Sequence, residues 1–446
     1  MIKKTITIIS AILINISMLS QVRSYDENAI LIATENIQGT ARYTAMSGAF
    51  GALGGNLSAT NANPASFAVF NQSEVSITLG NKSNNTDVQF GNTTTNNSNS
   101  NFGFPQGGAV LIFDNDNKAW SKFGVGINFT KTNQFDQKYL IKGNDNISNE
   151  LYFLEPVTGI DLYDNVSSQK MLNHTIGDNT KTNFTFSGKY LNNTYFGISI
   201  SNNTISYEQT VNINEQSADV NNNTFNANQV QKLLVNGEGL SMSFGVITKP
   251  YKNLRLGLSY QTPTFYTLEE EYTENTDIML SNDNDVIETV ESAFEYELKT
   301  PSKLTGSIAY VFGEKGLISM DYDYKDYSSI KISPTSEFTN ENDFIDTQLS
   351  GISSLKIGAE YRLNKLSFRG GFNIEESIYK NILSRNTDAT KGYSLGLGMK
   401  LFNNSKLDFS YTNTFSRDTY FYLNAADPAE LVNDDHRINA TITFSL

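Results

Sequence analysis

The sequence predicts an all-β protein: a 14-stranded antiparallel transmembrane β-barrel with an N-terminal hatch, or plug, of short helices. Three observations carry this prediction. Apolar residues recur at every second position from about residue 74 to the C-terminus. Short and long polar connections alternate along the same stretch, and residues 25–73 break the pattern with a run of Gly and Ala.

Composition narrows the functional classes first. The chain has 446 residues, a formal charge of −14 and no cysteine. An acidic chain has little with which to neutralise phosphates, so a nucleic-acid partner is not expected. The lack of cysteine removes disulfides, thiolate metal sites and thiol nucleophiles. Two histidines, His174 and His436, leave little for metal ligation or His-based catalysis. No metal, cofactor or enzymatic activity is expected, and no Ser-His-Asp order or carboxylate pair stands out.

Residues 1–24 read as a signal peptide. Lys3 and Lys4 precede an apolar run from Ile6 to Ile14, and Val22-Arg23-Ser24 closes it with small residues. No cysteine follows for lipid attachment, and no later stretch reaches the ~18 apolar residues that a spanning helix needs.

The hatch is assigned to residues 25–73. Met46, Ala49, Phe50 and Leu53 fall at i, i+3, i+4 and i+7, which predicts a short helix stopped by Gly54-Gly55. Asn63-Pro64 predicts a second helix start, with Asn as N-cap and Pro in the first position. Phe67 and Phe70 follow on one face. Small residues allow close packing, and a fourteen-strand barrel has a lumen too wide for its own wall side chains to fill.

Residues 74–446 form the barrel. Ile438, Ala440, Ile442 and Phe444 alternate with Arg437, Asn439, Thr441 and Thr443; Leu355, Ile357 and Ala359 alternate with Lys356, Gly358 and Glu360. A period of two puts the sets on opposite faces of a strand. Strands are predicted near 74–80, 108–113, 123–130, 182–190, 195–207, 238–248, 253–272, 293–312, 316–327, 353–363, 366–375, 391–402, 405–416 and 435–446. Thr300-Pro301-Ser302 is kept inside one long strand as a Pro bulge, because a turn there would break the rhythm of connections. Short turns fall at 114–121, 191–194, 249–252, 313–315, 364–365 and 402–405. The long stretches 81–107, 131–181, 208–237, 273–292, 328–352, 376–390 and 417–434 are predicted as loops; in 81–101, 15 of 21 residues are Asn, Thr or Ser. Tight turns on one side and long loops on the other characterise outer-membrane barrels, whereas a Greek-key sandwich has no reason to keep such a rhythm.

Lipid cannot pair backbone groups, so the sheet must close, with apolar faces outward and polar faces inward. Arg255, Asp321, Asp323, Lys356, Glu360, Arg362, Arg369, Lys400 and Asp408 are then expected to face the lumen. In hydrocarbon near the midplane the basic ones would cost about 2–4 kcal/mol each.

At this point the chain resembles a known family. The run Gly39-Thr40-Ala41-Arg42, then Met46-Ser47-Gly48-Ala49-Phe50-Gly51-Ala52-Leu53-Gly54-Gly55-Asn56, then Asn63-Pro64-Ala65, resembles the N-terminal hatch of the FadL/TodX outer-membrane transport family. The resemblance implies a monomeric, hatch-plugged barrel in the outer membrane of a Gram-negative bacterium, with outer-membrane lipid around it. It further implies uptake of hydrophobic small molecules, long-chain fatty acids or aromatic hydrocarbons, by passive, hatch-gated diffusion. An inward kink in the third strand would open the wall for lateral exit, and Gly124 and Gly126 in the matching strand are the kink candidates. Phe50, Phe67, Phe70, Phe102, Phe104, Tyr152 and Phe153 are the candidate ligand contacts. Two rival functions share the barrel: a protein secretion or assembly component, and a porin for polar solutes. The plug argues against the porin. Asp114-Asn115-Asp116-Asn117 departs from an EF-hand at Ala119 and Val125 and reads as a solvated turn.

Overall fold

The computed structural model describes residues 24–117, 119–144, 165–191, 193–219, 221–281, 286–380, 388–402, 404–420 and 428–446. Almost all of the proposed signal peptide, together with Tyr152 and Phe153, lies outside the described residues.

One antiparallel sheet of eighteen ladder segments closes on itself. Its fourteen wall strands are β1 (Glu74–Phe90), β2 (Thr93–Asp114), β3 (Trp120–Gln134 and Gln137–Asn144), β4 (Asn165–Tyr190), β5 (Thr194–Ala218), β6 (Thr224–Thr248) and β7 (Leu254–Gln261 and Phe265–Leu280), followed by β8 (Val286–Lys299 and Lys303–Val311), β9 (Gly316–Asp326), β10 (Gly351–Leu363), β11 (Leu366–Glu375), β12 (Thr390–Phe402), β13 (Ser405–Tyr420) and β14 (Ala429–Ser445). A short strand, Lys331–Ser333, pairs with the upper part of β8. Closure is made by β1 against β14, from Glu74↔Ser445 to Gln89↔Glu430. All fourteen expected strands are present in order, and each expected short turn joins its expected pair.

The expected Pro bulge is a matched double break. β8 is interrupted at 300–302, and β7 opposite it at 262–264, where Pro263 sits. Across the gap Thr300 donates its amide to the Thr264 carbonyl at 3.0 Å, and Thr264 donates its amide to the Thr300 hydroxyl at 3.0 Å. Prolines cannot donate to a ladder, so the two strands open together and resume together.

Two expectations are corrected. The stretches 81–107, 131–181, 208–237 and 273–292 are mostly strand where the structure describes them, not loop. In β5, Phe196, Ile198 and Ile200 face outward with Ser199, Ser201 and Asn203 inward; farther along, Thr204, Ser206 and Glu208 face outward with Ile205 and Tyr207 inward. The strands thus continue beyond the apolar band with the polarity of their faces exchanged, and Asn, Thr and Ser coat the outside of the extension. The helix expected over 46–53 is instead Ala41–Thr44, capped by the Thr40 hydroxyl, which accepts from the Tyr43 amide at 3.3 Å. Residues 45–53 run as turns, because Ser47 (φ 49°) and Gly48 (φ 73°) adopt left-handed backbone that ends a helix.

Around the short-turn half, Ile77, Val125, Phe184, Met242, Leu258 and Leu397 are exposed on the outer face. Trp120 packs its ring 5.1 Å from Tyr190 near the turns, the position of an interfacial aromatic girdle. No helix among the described residues is long and apolar enough to cross a membrane.

Residues 24–73 lie inside the barrel. They contribute α1 (Tyr25–Ala33), α2 (Ala41–Thr44) and two 3-10 turns, Leu57–Asn61 and Pro64–Val69. Asn63 caps the second of these, accepting from the Ala65 amide at 3.0 Å with Pro64 in the first turn, as its sequence predicts.

Candidate functional site

The lower lumen is sealed by the hatch through polar bonds to the wall. Gly51 donates its amide to Asp321 Oδ2 at 2.8 Å, Ala41 donates to the Thr441 hydroxyl at 2.6 Å, and Arg255 donates to the Leu53 carbonyl at 2.6 Å. Arg42 bonds Glu360 at 2.8 Å; Glu360 also takes Arg362 and Arg369, and Arg369 bridges to Asp408 at 2.7 Å. Lys356 pairs with Asp323 at 2.5 Å. The charges expected in the lumen are therefore there, except that Lys400 is exposed at the rim. Asn63 donates to the Gly51 carbonyl at 2.9 Å and to the Val246 carbonyl of β6 at 3.0 Å, tying the hatch to itself and to the wall. A Cβ on Gly245 would lie 2.0 Å from Asn63 Oδ1, so this wall glycine admits the hatch.

Above the hatch the barrel interior turns apolar. Ile205, Tyr207, Leu233, Val235, Leu268 and Tyr296 belong to one buried cluster, and Ile30, Ile32 and Ala33 of α1 pack within it. α3 (Thr339–Gln348) contributes Ile345 to the same cluster. In the upper segment of β7, outside the apolar band, burial pushes the Glu270 carboxyl up to about 7 despite hydrogen bonds from Tyr296 and Tyr25. Glu274 is likewise raised by burial, although Tyr272 donates to it at 2.5 Å. Both side-chain polar atoms of Asn28, on α1, are buried without a hydrogen-bond partner among the described residues.

Immediately below α1 the chain enters a polar cavity of about 120 Å³, room for a few waters. Glu35 sits there between Lys181 (3.3 Å) and Lys303 (3.0 Å). The next residue, Asn36, donates its amide to the Thr132 carbonyl of β3 at 2.8 Å and its side-chain amide to Asn133 Oδ1 at 2.6 Å.

That contact lies where the wall parts. β2 and β3 are paired only from Asp114↔Lys122 to Gln106↔Thr130. Beyond that point β2 stays on β1 up to Thr93, while β3 stays on β4, slips register at Lys131/Asn133 and breaks at 135–136. The two sides meet again at their tips, where Leu140 donates to Asn97 Oδ1 at 3.0 Å and the Thr93 and Thr95 hydroxyls bond β3 carbonyls. A window without ladder pairing lies between residues 98–105 and 131–136.

The sequence-derived candidates do not converge on one site. Phe50 packs with Tyr43, Met46 and Leu317; Phe67 and Phe70 meet edge to face at 6.0 Å beside Leu57 and Val110. Both groups are separate from the upper apolar cluster. Phe102 (69% exposed) and Phe104, stacked on Phe129 at 5.7 Å, are on the outer face along the window. Gly124 and Gly126 remain in the paired part of β3, opposite Ile112 and Val110, and a Cβ on either would meet Phe67 at 2.9 Å. They admit the hatch, and the break in β3 is at 135–136 instead. His174 is exposed on β4, whereas His436 on β14 bonds the Tyr411 hydroxyl at 2.7 Å. Among the described residues no group of three or more His, Asp or Glu is placed to hold a metal ion. The residues that sequence reasoning missed are α1, Glu35, Lys181 and Lys303. Their signals were the acidic first turn Asp26-Glu27 before the apolar run 29–33, and lysines at inward-facing positions.

Comparison with known proteins agrees with this architecture. The family model described as outer membrane protein transport protein (OMPP1/FadL/TodX) matches residues 169–443, more than half of the chain. No curated protein sequence matches the chain. Among solved structures, a Pseudomonas aeruginosa FadL homologue superposes with a TM-score of 0.60 at 11% identity, covering 93% of this chain and 99% of its own. The P. putida toluene transporter TodX follows at 0.57 and 12%, with the same coverage. The Ralstonia pickettii toluene transporter TbuX gives 0.52 and 16%, covering 92% and 99%. Fourteen strands, an internal hatch and the sequence match agree: the chain is a β-barrel of the outer membrane and belongs to the OMPP1/FadL/TodX family of transport proteins, a family of channels and not of enzymes.

Proposed function

We propose that the protein takes up hydrophobic compounds across the outer membrane by passive diffusion gated by its hatch. The observation that carries this reading is the apolar chamber at the long-connection end, filled by α1 and joined through Glu35 and Asn36 to the parted β2–β3 wall. A compound entering from outside replaces α1 among Tyr207, Leu268 and Tyr296. Apolar burial supplies the affinity, about 25 cal/mol per Å². Withdrawal of residues 34–36 then frees β3, and the compound leaves sideways through the window, past Phe102 and Phe104, into the bilayer. The structural relatives are a FadL homologue and toluene transporters, which supports apolar cargo. Residues 41–73 lie in the lower lumen and bond its wall, which disfavours a porin for polar solutes.

Two measurements test the reading. Mass spectrometry of compounds extracted from the purified protein should find apolar molecules, and proteoliposomes should take up a labelled apolar compound faster than protein-free vesicles. Copurifying protein partners without any apolar ligand would favour the secretion role and overturn the proposal.

A further inference from the structure

We propose that the periplasmic rim from β6 to β13 is a binding surface for anionic glycerophospholipids of the periplasmic leaflet, to which each of four turns brings one lysine and one apolar side chain. The inference goes beyond the transport reading and does not depend on the cargo.

The four turns join β6 to β7, β8 to β9, β10 to β11 and β12 to β13. At them stand Tyr251 with Lys252, Phe312 with Lys315, Leu363 with Lys365, and Phe402 with Lys400. All of these side chains are exposed, Tyr251 by 73% and Phe402 by 81%. Lys406 nearby is satisfied by Glu74 at 3.1 Å, but none of the four lysines has an ion-pair partner among the described residues. The turns are bonded to one another: Val311 donates its amide to the Asn253 carbonyl at 2.8 Å, Arg362 to that of Lys315 at 2.8 Å, and Lys400 to that of Lys365 at 3.0 Å. They make one continuous row in which successive turns lie two strand spacings apart, roughly 10 Å. That spacing suits lipid head groups side by side.

An apolar side chain next to an ammonium, at the edge of the lipid-facing band, matches a phase boundary. The ring or the leucine enters the acyl region, the lysine stem lies along it, and the ammonium reaches a phosphate. An acidic protein would be met by lysines alone and gives no reason for an apolar side chain at every turn. The row also runs against the balance of the chain, which is −14. Beyond the opposite edge of the apolar band the outer face carries exposed Glu238, Glu269, Glu271 and Glu295. The rest of the rim differs as well: the β2–β3 turn sets Asp114 and Asp116 against Lys118, and residues 191–193 between β4 and β5 carry no charge. The basic row is centred between β9 and β10, seven strands from the β2–β3 window in a wall of fourteen. Anionic lipid therefore gathers on the side of the barrel away from the window.

The test uses the purified full chain in detergent, read by native mass spectrometry with equimolar phosphatidylglycerol and phosphatidylcholine of the same acyl chains. The wild type should retain phosphatidylglycerol about tenfold over phosphatidylcholine at low ionic strength, and the ratio should fall as salt is added. Lys252→Gln with Lys315→Gln, Lys365→Gln and Lys400→Gln should bring the ratio close to one. The pair Lys252→Gln and Lys365→Gln should leave it at about threefold. Four exposed lysines beyond the far edge of the band serve as control, since Lys170→Gln, Lys232→Gln, Lys299→Gln and Lys331→Gln change the net charge equally and should not move the ratio. A heat-modifiable shift in gel mobility shows that each variant is folded. Glycerol 3-phosphate, compared with chloride at equal ionic strength, should not displace the lipid. Equal retention of the two lipids by the wild type, equal loss in the two quadruple variants, or displacement by glycerol phosphate would overturn the assignment.

Discussion

Asn36 of the hatch donates its backbone amide to the carbonyl of Thr132 at 2.8 Å, where β3 has just left β2. A wall carbonyl that a neighbouring strand would otherwise satisfy is thus satisfied by the plug. In hydrocarbon an unpaired carbonyl costs several kcal/mol, so hatch and window are energetically tied.

Locking that contact should close the channel. The chain has no cysteine, so Asn36→Cys with Asn133→Cys introduces the only thiols. Oxidation should abolish uptake of an apolar tracer into proteoliposomes, and reductant should restore it. Uptake that is the same before and after oxidation would separate hatch movement from transport.

Asn28 is a weak point built into α1. Its buried amide has no partner among the described residues, which costs about 1–3 kcal/mol. Asn28→Leu should therefore dock the helix more firmly, and the apparent Kd for apolar ligand should rise about tenfold or more. Equilibrium binding in detergent reads the change.

Gly245 fits against Asn63 with no room for a methyl group. Gly245→Val should dislodge the Asn63-Pro64 corner from the wall and open a leak through the lumen. Single-channel conductance in planar bilayers should rise from near zero to discrete openings, with the barrel still resistant to unfolding in the gel.

The chamber should hold α1 more firmly in mild acid. The Glu270 carboxyl titrates at about 7 in the folded protein, against an ordinary value of 4.5. Between these values the folded state binds the extra proton, so stability is highest below pH 4.5 and falls as pH rises towards 7. Glu274 shifts in the same direction. The effect is on the order of 3 kcal/mol at most. Hydrogen exchange of the α1 amides, corrected for intrinsic rate, should show greater protection at pH 5 than at pH 8. Glu270→Gln should remove most of the difference.

The barrel was legible because a period of two repeated over fourteen short segments requires a large antiparallel sheet, and the rhythm of turns separated a barrel from a sandwich. The Asn63-Pro64 corner was legible for a local reason, since capping chemistry is written in adjacent residues. The upper chamber was hidden by composition. Val211, Ile213, Leu233 and Val235 keep the period inside stretches rich in Asn, Thr and Ser, and those polar residues dominate any reading by hydrophilicity. The break in β3 and the Glu35 pair were out of reach for another reason. Each depends on residues far apart in the chain, such as Glu35 with Lys303, and a lysine at an inward-facing position does not by itself say which distant carboxylate it meets.

The exchange of faces along β5 and β6 also sets how deep the molecule rides. On β6 the outward series passes from Phe244, Met242 and Leu240 to Glu238 and Asn236 and then, past the half-buried Leu234, to Lys232. Sinking the barrel by one turn of that series would bring Glu238 and then Lys232 among acyl chains, and raising it would wet the phenylalanines. The protein therefore carries its own waterline, and a bilayer of another thickness has to bend to meet it.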